Sequence, residues 1–233
     1  MNFALECQGL SKSYGKSAAA LHQVNLQLGG GRIIGLLGPN GSGKTTLIKL
    51  ANGLLTPSSG RVLVQGMVPG PETKRIVSYL PERTYLPTWM TAEQAFRYFQ
   101  DFYEDFDLAK AEDMLRRLGV DRTSQIKTMS KGTREKVQLI LVMSRKAQLY
   151  LLDEPIGGVD PAARDYILDT ILTNYRTSAT LLISTHLIYD IEKVLDEVVF
   201  LNQGTVSLHM TVNEIRDQKG STVDALFREV FRC

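Results

Sequence analysis

Only two cysteines, Cys7 and Cys233, occur in the 233 residues, near opposite ends of the chain. Such sparse use offers no metal-ligand cluster and no disulfide framework, and a reduced, cytosolic setting is expected. No apolar run approaches the ~20 residues that a membrane-crossing helix needs. The longest, Val137–Met143, is short and interrupted by Gln138, so any membrane role is expected to come through a partner. The opening Met1-Asn2-Phe3-Ala4-Leu5-Glu6 lacks the charged and apolar regions of a secretion signal. Charge of one sign is also lacking: 27 Lys and Arg against 25 Asp and Glu leave +2. With no basic stripe, no nucleic-acid partner is expected. No internal repeat or low-complexity tract is present. The rest is ordinary globular composition, 43% hydrophobic and 22% charged, enough for one domain or two tightly joined lobes.

Against this background one segment stands out. Gly38-Pro39-Asn40-Gly41-Ser42-Gly43-Lys44-Thr45-Thr46 is a complete G-x-x-x-x-G-K-[ST] phosphate-binding loop. Its glycines let the backbone fold back so that several N–H groups face one anion. The apolar run Ile33–Leu37 before it reads as a buried strand and Thr46–Leu50 after it as a helix start, which places a phosphate at a positive helix end. Lys44 can reach the β- and γ-phosphates, and the Thr45 hydroxyl can hold Mg²⁺.

Around the loop the chain reads as α/β. Val24, Leu26 and Leu28 share one face of a strand, and Gly29-Gly30-Gly31 turns into the next. The Thr46–Asn52 helix stops at Gly53, residues 56–60 form a loop, and Arg61–Gln65 and Ile76–Leu80 are strands. From about Thr91 to Lys146 the pattern is helical. Thr91 with Gln94 fits a capping box, and Phe96, Phe99 and Tyr103 recur at helical spacing, as core packing rather than a ligand box. Leu108–Leu118 is a second helix, ended by Gly119. Strands return at Leu149–Leu152, Thr180–Ser184 and Val198–Leu201. Pro161–Tyr175 is an amphipathic helix with Ala163, Ile167 and Ile171 on one face. Residues 211–233 read as one or two short helices.

Leu149–Leu152 runs into Asp153-Glu154, two carboxylates at a strand end. Asp153 would hold Mg²⁺, directly or through water, and Glu154 would act as general base on the attacking water. A strand followed by a solvated acidic turn is the plainer reading. His186, in Ser184-Thr185-His186, also follows an apolar strand.

With these motifs in this order, the chain resembles the ATP-binding subunits of ABC transporters over about residues 3–210. That resemblance implies an α/β fold: a P-loop NTPase core (about 1–84 and 148–210) with an N-terminal antiparallel β-subdomain, an inserted α-helical subdomain (about 85–147) and a short helical tail. It implies ATP and Mg²⁺ as cofactors and ATP hydrolysis as the reaction. The family's Leu-Ser-Gly-Gly-Gln signature stands here as Met129-Ser130-Lys131-Gly132-Thr133. By resemblance, Ser130 and Gly132 meet the γ-phosphate of ATP held by an opposing subunit, so two ATP molecules join two subunits head to tail; Lys131 and Thr133 depart from the pattern. A capped helix start is the plainer reading of the segment alone.

The resemblance likewise makes His186 the switch histidine, which aligns the water with Glu154. Asp160 becomes the residue that touches the opposing subunit, compatible with a helix-capping role, and Tyr14 the ring that stacks on adenine, with a plain surface tyrosine as the alternative. Glu82, in Ser78-Tyr79-Leu80-Pro81-Glu82, occupies the position of a family glutamine that contacts Mg²⁺ and water. A glutamate there adds negative charge beside ATP, and this form resembles small bacterial export-type systems. Tyr85-Leu86-Pro87-Thr88-Trp89 lies where a separately encoded multi-spanning membrane subunit would dock at the cytoplasmic face, or is simply a helix-entry loop with packed aromatics. The second ATP-binding subunit is an identical copy or a paralogue. A soluble ABC-type ATPase without a transport role is the alternative, though such relatives usually carry fused units or a long coiled coil. A GTPase would need Asn-Lys-x-Asp, which is absent.

Overall fold

In the computed structural model, residues 3–15 and 19–231 are described, without the side chains of Ala162 and Ala163. Ala163, expected on a buried helix face, and Cys233 therefore lie outside this description. Alternating residues build a three-stranded antiparallel sheet from β1 (Leu5–Lys12), β2 (Leu21–Leu28) and β4 (Ser59–Val64), in the order β2-β1-β4. Val24, Leu26 and Leu28 point inward as expected, with Leu21 beside them, while the polar residues between them face solvent. β4 begins two residues earlier than the sequence indicates. Gly60 makes this possible: its φ is +70°, and a Cβ there would stand 2.2 Å from the Gly9 carbonyl oxygen.

The second sheet has six strands: β3 (Ile33–Leu37), β5 (Val77–Leu80), β6 (Leu149–Asp153), β7 (Thr180–Thr185), β8 (Glu197–Asn202) and β9 (Thr205–Thr211), ordered β5-β6-β7-β3-β8-β9. The first five strands in that order are parallel, and β9 returns antiparallel to β8. β3, β6 and β7 are buried along their whole length, as strands covered on both faces must be. Alternation divides their side chains between two cores. Ile34, Leu36, Leu149, Leu151 and Leu182 pack toward the antiparallel sheet and α1 (Lys44–Ala51). Leu37, Tyr150, Leu152 and Ile183 join the other core, with the remaining helices.

That second core is filled by α3 (Ala92–Phe102), α4 (Leu108–Arg117), α5 (Lys131–Met143) and α6 (Pro161–Asn174). The Thr91–Gln94 capping box is present in both directions, 3.0 and 3.2 Å. Phe96 and Phe99 are buried and Tyr103 packs against them, so the aromatic stripe is core. The apolar run Val137–Met143 is buried throughout, Gln138 included. The sequence pattern does not announce β1, α2 (Pro71–Ile76), α7 (Ile188–Ile191) or β9, and α1 starts at Lys44, two residues before the expected Thr46. The tail forms two helices, α8 (Val212–Lys219) and α9 (Val223–Phe231), whose Phe227 packs edge-on against Phe200.

Candidate active site

Three adjacent parallel strands, β6, β7 and β3, end on one side of the sheet and carry the polar residues with them. Ligands of such sheets bind outside the carboxyl ends of the strands. Gly38 follows β3, Asp153 closes β6 opposite Ser184 of β7, and Thr185 pairs with Leu37. The Gly38–Thr46 loop then feeds α1. A Cβ at Gly38 would lie 2.3 Å from the Leu201 carbonyl oxygen, and one at Gly43, where φ is +109°, 2.5 Å from that of Ala20. Both positions therefore require glycine, and the loop's backbone is fixed by the body of the domain.

Lys44 is buried, and its Nζ donates to the carbonyls of Gly38 (2.7 Å) and Pro39 (3.3 Å), 3.7 Å from Glu154 Oε1. Burial holds its pKa below the ordinary lysine value, against the pull of Glu154, Asp153 and Glu82. Thr45 Oγ1 (3.1 Å) and Ser184 Oγ (2.6 Å) both donate to Asp153 Oδ1. Asp153 Oδ2 is buried with no hydrogen-bond partner among the described residues. Burial raises the Asp153 pKa, and Glu82 and Glu154 add to it, while the bonds from Ser184 and Thr45 oppose it. An unpaired buried carboxylate oxygen beside a threonine hydroxyl suits Mg²⁺. That ion takes few protein ligands and keeps waters and substrate phosphates, and among the described residues no group of three His, Cys, Asp or Glu forms a closed metal cage.

Glu154 turns out of the strand with φ +51°, a left-handed conformation that non-glycine residues adopt at a cost of roughly 1–3 kcal/mol. Its N–H is held by Ser184, at 3.0 Å to the carbonyl and 3.1 Å to Oγ. The turn aims its carboxylate at an imidazole and an ammonium group: Oε2 lies 3.0 Å from His186 Nδ1, and Oε1 faces Lys44. A carboxylate held this way can take a proton from a water lying over the loop.

A cleft of about 1050 Å³ opens above these groups, lined by the loop from Asn40 to Thr46 together with Glu82, Glu154 and His186. Lys131, Arg134 and Arg83 line it too, which the sequence reading missed; so was the role of Ser184, whose polarity inside an apolar strand was its signal. Tyr14 is half-exposed, its hydroxyl 3.4 Å from Thr46 Oγ1. Ser130, Gly132 and Asp160 do not line this cleft themselves, although Lys131, between the first two, does. Ser130 caps α5, its Oγ accepting from Thr133 N at 3.1 Å. Asp160 stands before α6, where its carbonyl accepts from Arg164 N at 3.1 Å. Tyr85 and Trp89 are exposed at the rim of a second, aromatic groove that also contains Tyr98, Phe99 and Phe102.

Comparison with known proteins agrees with this geometry. The family model described as ABC transporter matches residues 21–157, more than half of the chain. The ABC transporter ATP-binding protein YxlF of Bacillus subtilis, itself uncharacterized, is 30% identical over 231 residues, covering 95% of this chain and 76% of that protein. The linearmycin resistance ATP-binding protein LnrL of the same organism is 29% identical, covering 86% and 67%. A solved ATP-binding subunit of an ABC transporter superposes with a TM-score of 0.86 at 32% identity, over 98% of this chain and 99% of that one. Among the described residues no helix is long and apolar enough to cross a membrane. The chain belongs to the ABC transporter family as an ATP-binding subunit, a family of ATPases.

Proposed function

We propose that the protein binds and hydrolyses ATP between two subunits and so drives a separately encoded, multi-spanning membrane subunit. The observation that carries this reading is the convergence of Lys44, Thr45, Asp153, Glu154 and His186 at the ends of three strands, with Glu154 held 3.0 Å from His186. The Gly38–Thr46 backbone cradles the phosphates, Lys44 exchanges its loop carbonyls for phosphate oxygens, and Tyr14 stacks on adenine. Thr45, Asp153 and Glu82 would hold Mg²⁺, which neutralises charge on the phosphates when bound. Glu154 takes the proton of the attacking water, and His186 orients it.

Ser130 and Gly132 serve the partner's nucleotide. Their exposure at the start of α5, where Ser130 caps the helix, supports a contact made in trans. Asp160 meets the opposing subunit in the same closure. The groove around Tyr85 and Trp89 receives the membrane subunit at the cytoplasmic face, with residues 85–147 as the helical unit that carries the motion. Outward transport is the favoured direction, supported by the Glu82 form and by a relative named for linearmycin resistance, a trait that efflux would produce. A pull-down of tagged Glu154→Gln from detergent-solubilised cells with ATP tests the assembly. A membrane protein at near-equal stoichiometry is the expected result. Recovery of soluble partners alone would move the protein to a role outside transport.

A further inference from the structure

Beside the cleft lies a small cavity of about 40 Å³, lined by Glu82, Gln138, Asp153 and Glu154 among others. Two of its lining residues contribute buried oxygens, Gln138 Oε1 and Asp153 Oδ2, that have no hydrogen-bond partner among the described residues. Both are acceptors. A cavity of this size admits one water, and a water has two protons to donate. The other end of the Gln138 side chain is engaged: Nε2 donates to the Pro81 carbonyl at 3.1 Å, one residue before Glu82. Gln138 is 3% exposed, second in the buried Val137–Met143 run of α5. A polar side chain there is costly unless both ends are satisfied.

Ser130 caps the start of α5, about 12 Å along the helix axis from Gln138. The same helix is sewn to β5 by Ser78 Oγ on the Val142 carbonyl (2.9 Å). A tilt of α5 would be passed through these bonds to the Pro81–Glu82 corner.

We propose that Gln138 is a positioning residue for ATP hydrolysis, holding the Glu82 loop through Pro81 and Asp153 through one buried water. The inference rests on Glu82 and Asp153 belonging to the hydrolytic apparatus. Gln138→Met, which keeps the length and removes both polar ends, should lower kcat roughly ten- to a hundredfold, the usual effect of losing a supporting hydrogen bond at a metal-bearing site. ATP affinity measured by nucleotide titration should stay within about twofold of wild type, as Gln138 touches no phosphate. A high-resolution crystal structure of the wild-type protein should show a water between Gln138 Oε1 and Asp153 Oδ2, and that of the variant should lack it. Unchanged kcat, a parallel loss of kcat and ATP affinity, or a dry wild-type cavity would each overturn the proposal. If Gln138→Met does not fold, the wild-type cavity alone decides. Lys44→Ala in parallel separates the two levels: should it keep full ATP affinity, the site reading fails, whereas a silent Gln138→Met beside an inactive Lys44→Ala removes only the relay.

Discussion

At the residue scale, three side chains are held in states that water would not favour. Glu154 keeps a left-handed backbone, Lys44 is buried against its own loop carbonyls, and Asp153 is buried with one oxygen unpaired. Lys44 and Asp153 would find partners in a triphosphate and a divalent cation, which is the physical case for a nucleotide site. Lys44→Ala should accordingly lose at least tenfold in ATP affinity by titration, the loss of about 1.4 kcal/mol or more expected for a charge-assisted contact. Unchanged affinity would remove the loop from the site. Asp153 gives a pH signature. Its pKa is raised on folding, so the nucleotide-free fold gains stability as pH falls through the raised value, and above it the full cost of the buried charge is present. Asp153→Asn removes that cost. Its melting temperature should exceed that of wild type most near neutral pH, and the difference should shrink toward about pH 4, the ordinary carboxylate pKa. A pH-independent difference would contradict the assignment.

At the scale of elements, α5 and β5 form the seam on which the helical part of the chain meets the sheet. Arg145, just beyond α5, is 2% exposed in its side chain and pairs with Asp105 at 2.9 Å. It donates to the carbonyls of Lys74, Arg75 and Val77, and its guanidinium lies 3.8 Å from the centre of the Tyr103 ring. Arg145→Met leaves three carbonyls and a partly exposed carboxylate without their donor and should cost about 3 kcal/mol in urea unfolding; a loss under about 1 kcal/mol would show the seam to be held by packing alone. Strong periodicity made the elements that carry the site readable: β3, β6 and β7 as apolar runs, α3 from its cap and its aromatic stripe. β9 was not read, although Val206, Leu208 and Met210 alternate with polar residues after Gln203-Gly204. That turn, with both residues at positive φ, was its available signal. α2 is mostly polar, so only Pro71 at its start announced it. The arginine clamp was invisible because no local pattern links Arg145 to carbonyls some 70 positions away.

At the scale of the whole molecule, the residues of the predicted site divide into two groups. Lys44, Thr45, Asp153, Glu154 and His186 meet within one chain, whereas Ser130 and Gly132 lie at the exposed start of α5. Spacing in sequence showed only the motifs, and the resemblance alone gave Ser130 and Gly132 to the opposing subunit's nucleotide. Ser130→Arg should leave ATP binding intact while preventing ATP-dependent dimerisation by light scattering; dimers formed by that variant would refute the contact in trans. The most direct test of the account is the turnover of Glu154→Gln, with its assembly followed in the same sample. The account predicts almost no phosphate release together with an ATP-dependent dimer that persists. Hydrolysis at the wild-type rate would contradict it, because the proton of the attacking water would then have another acceptor.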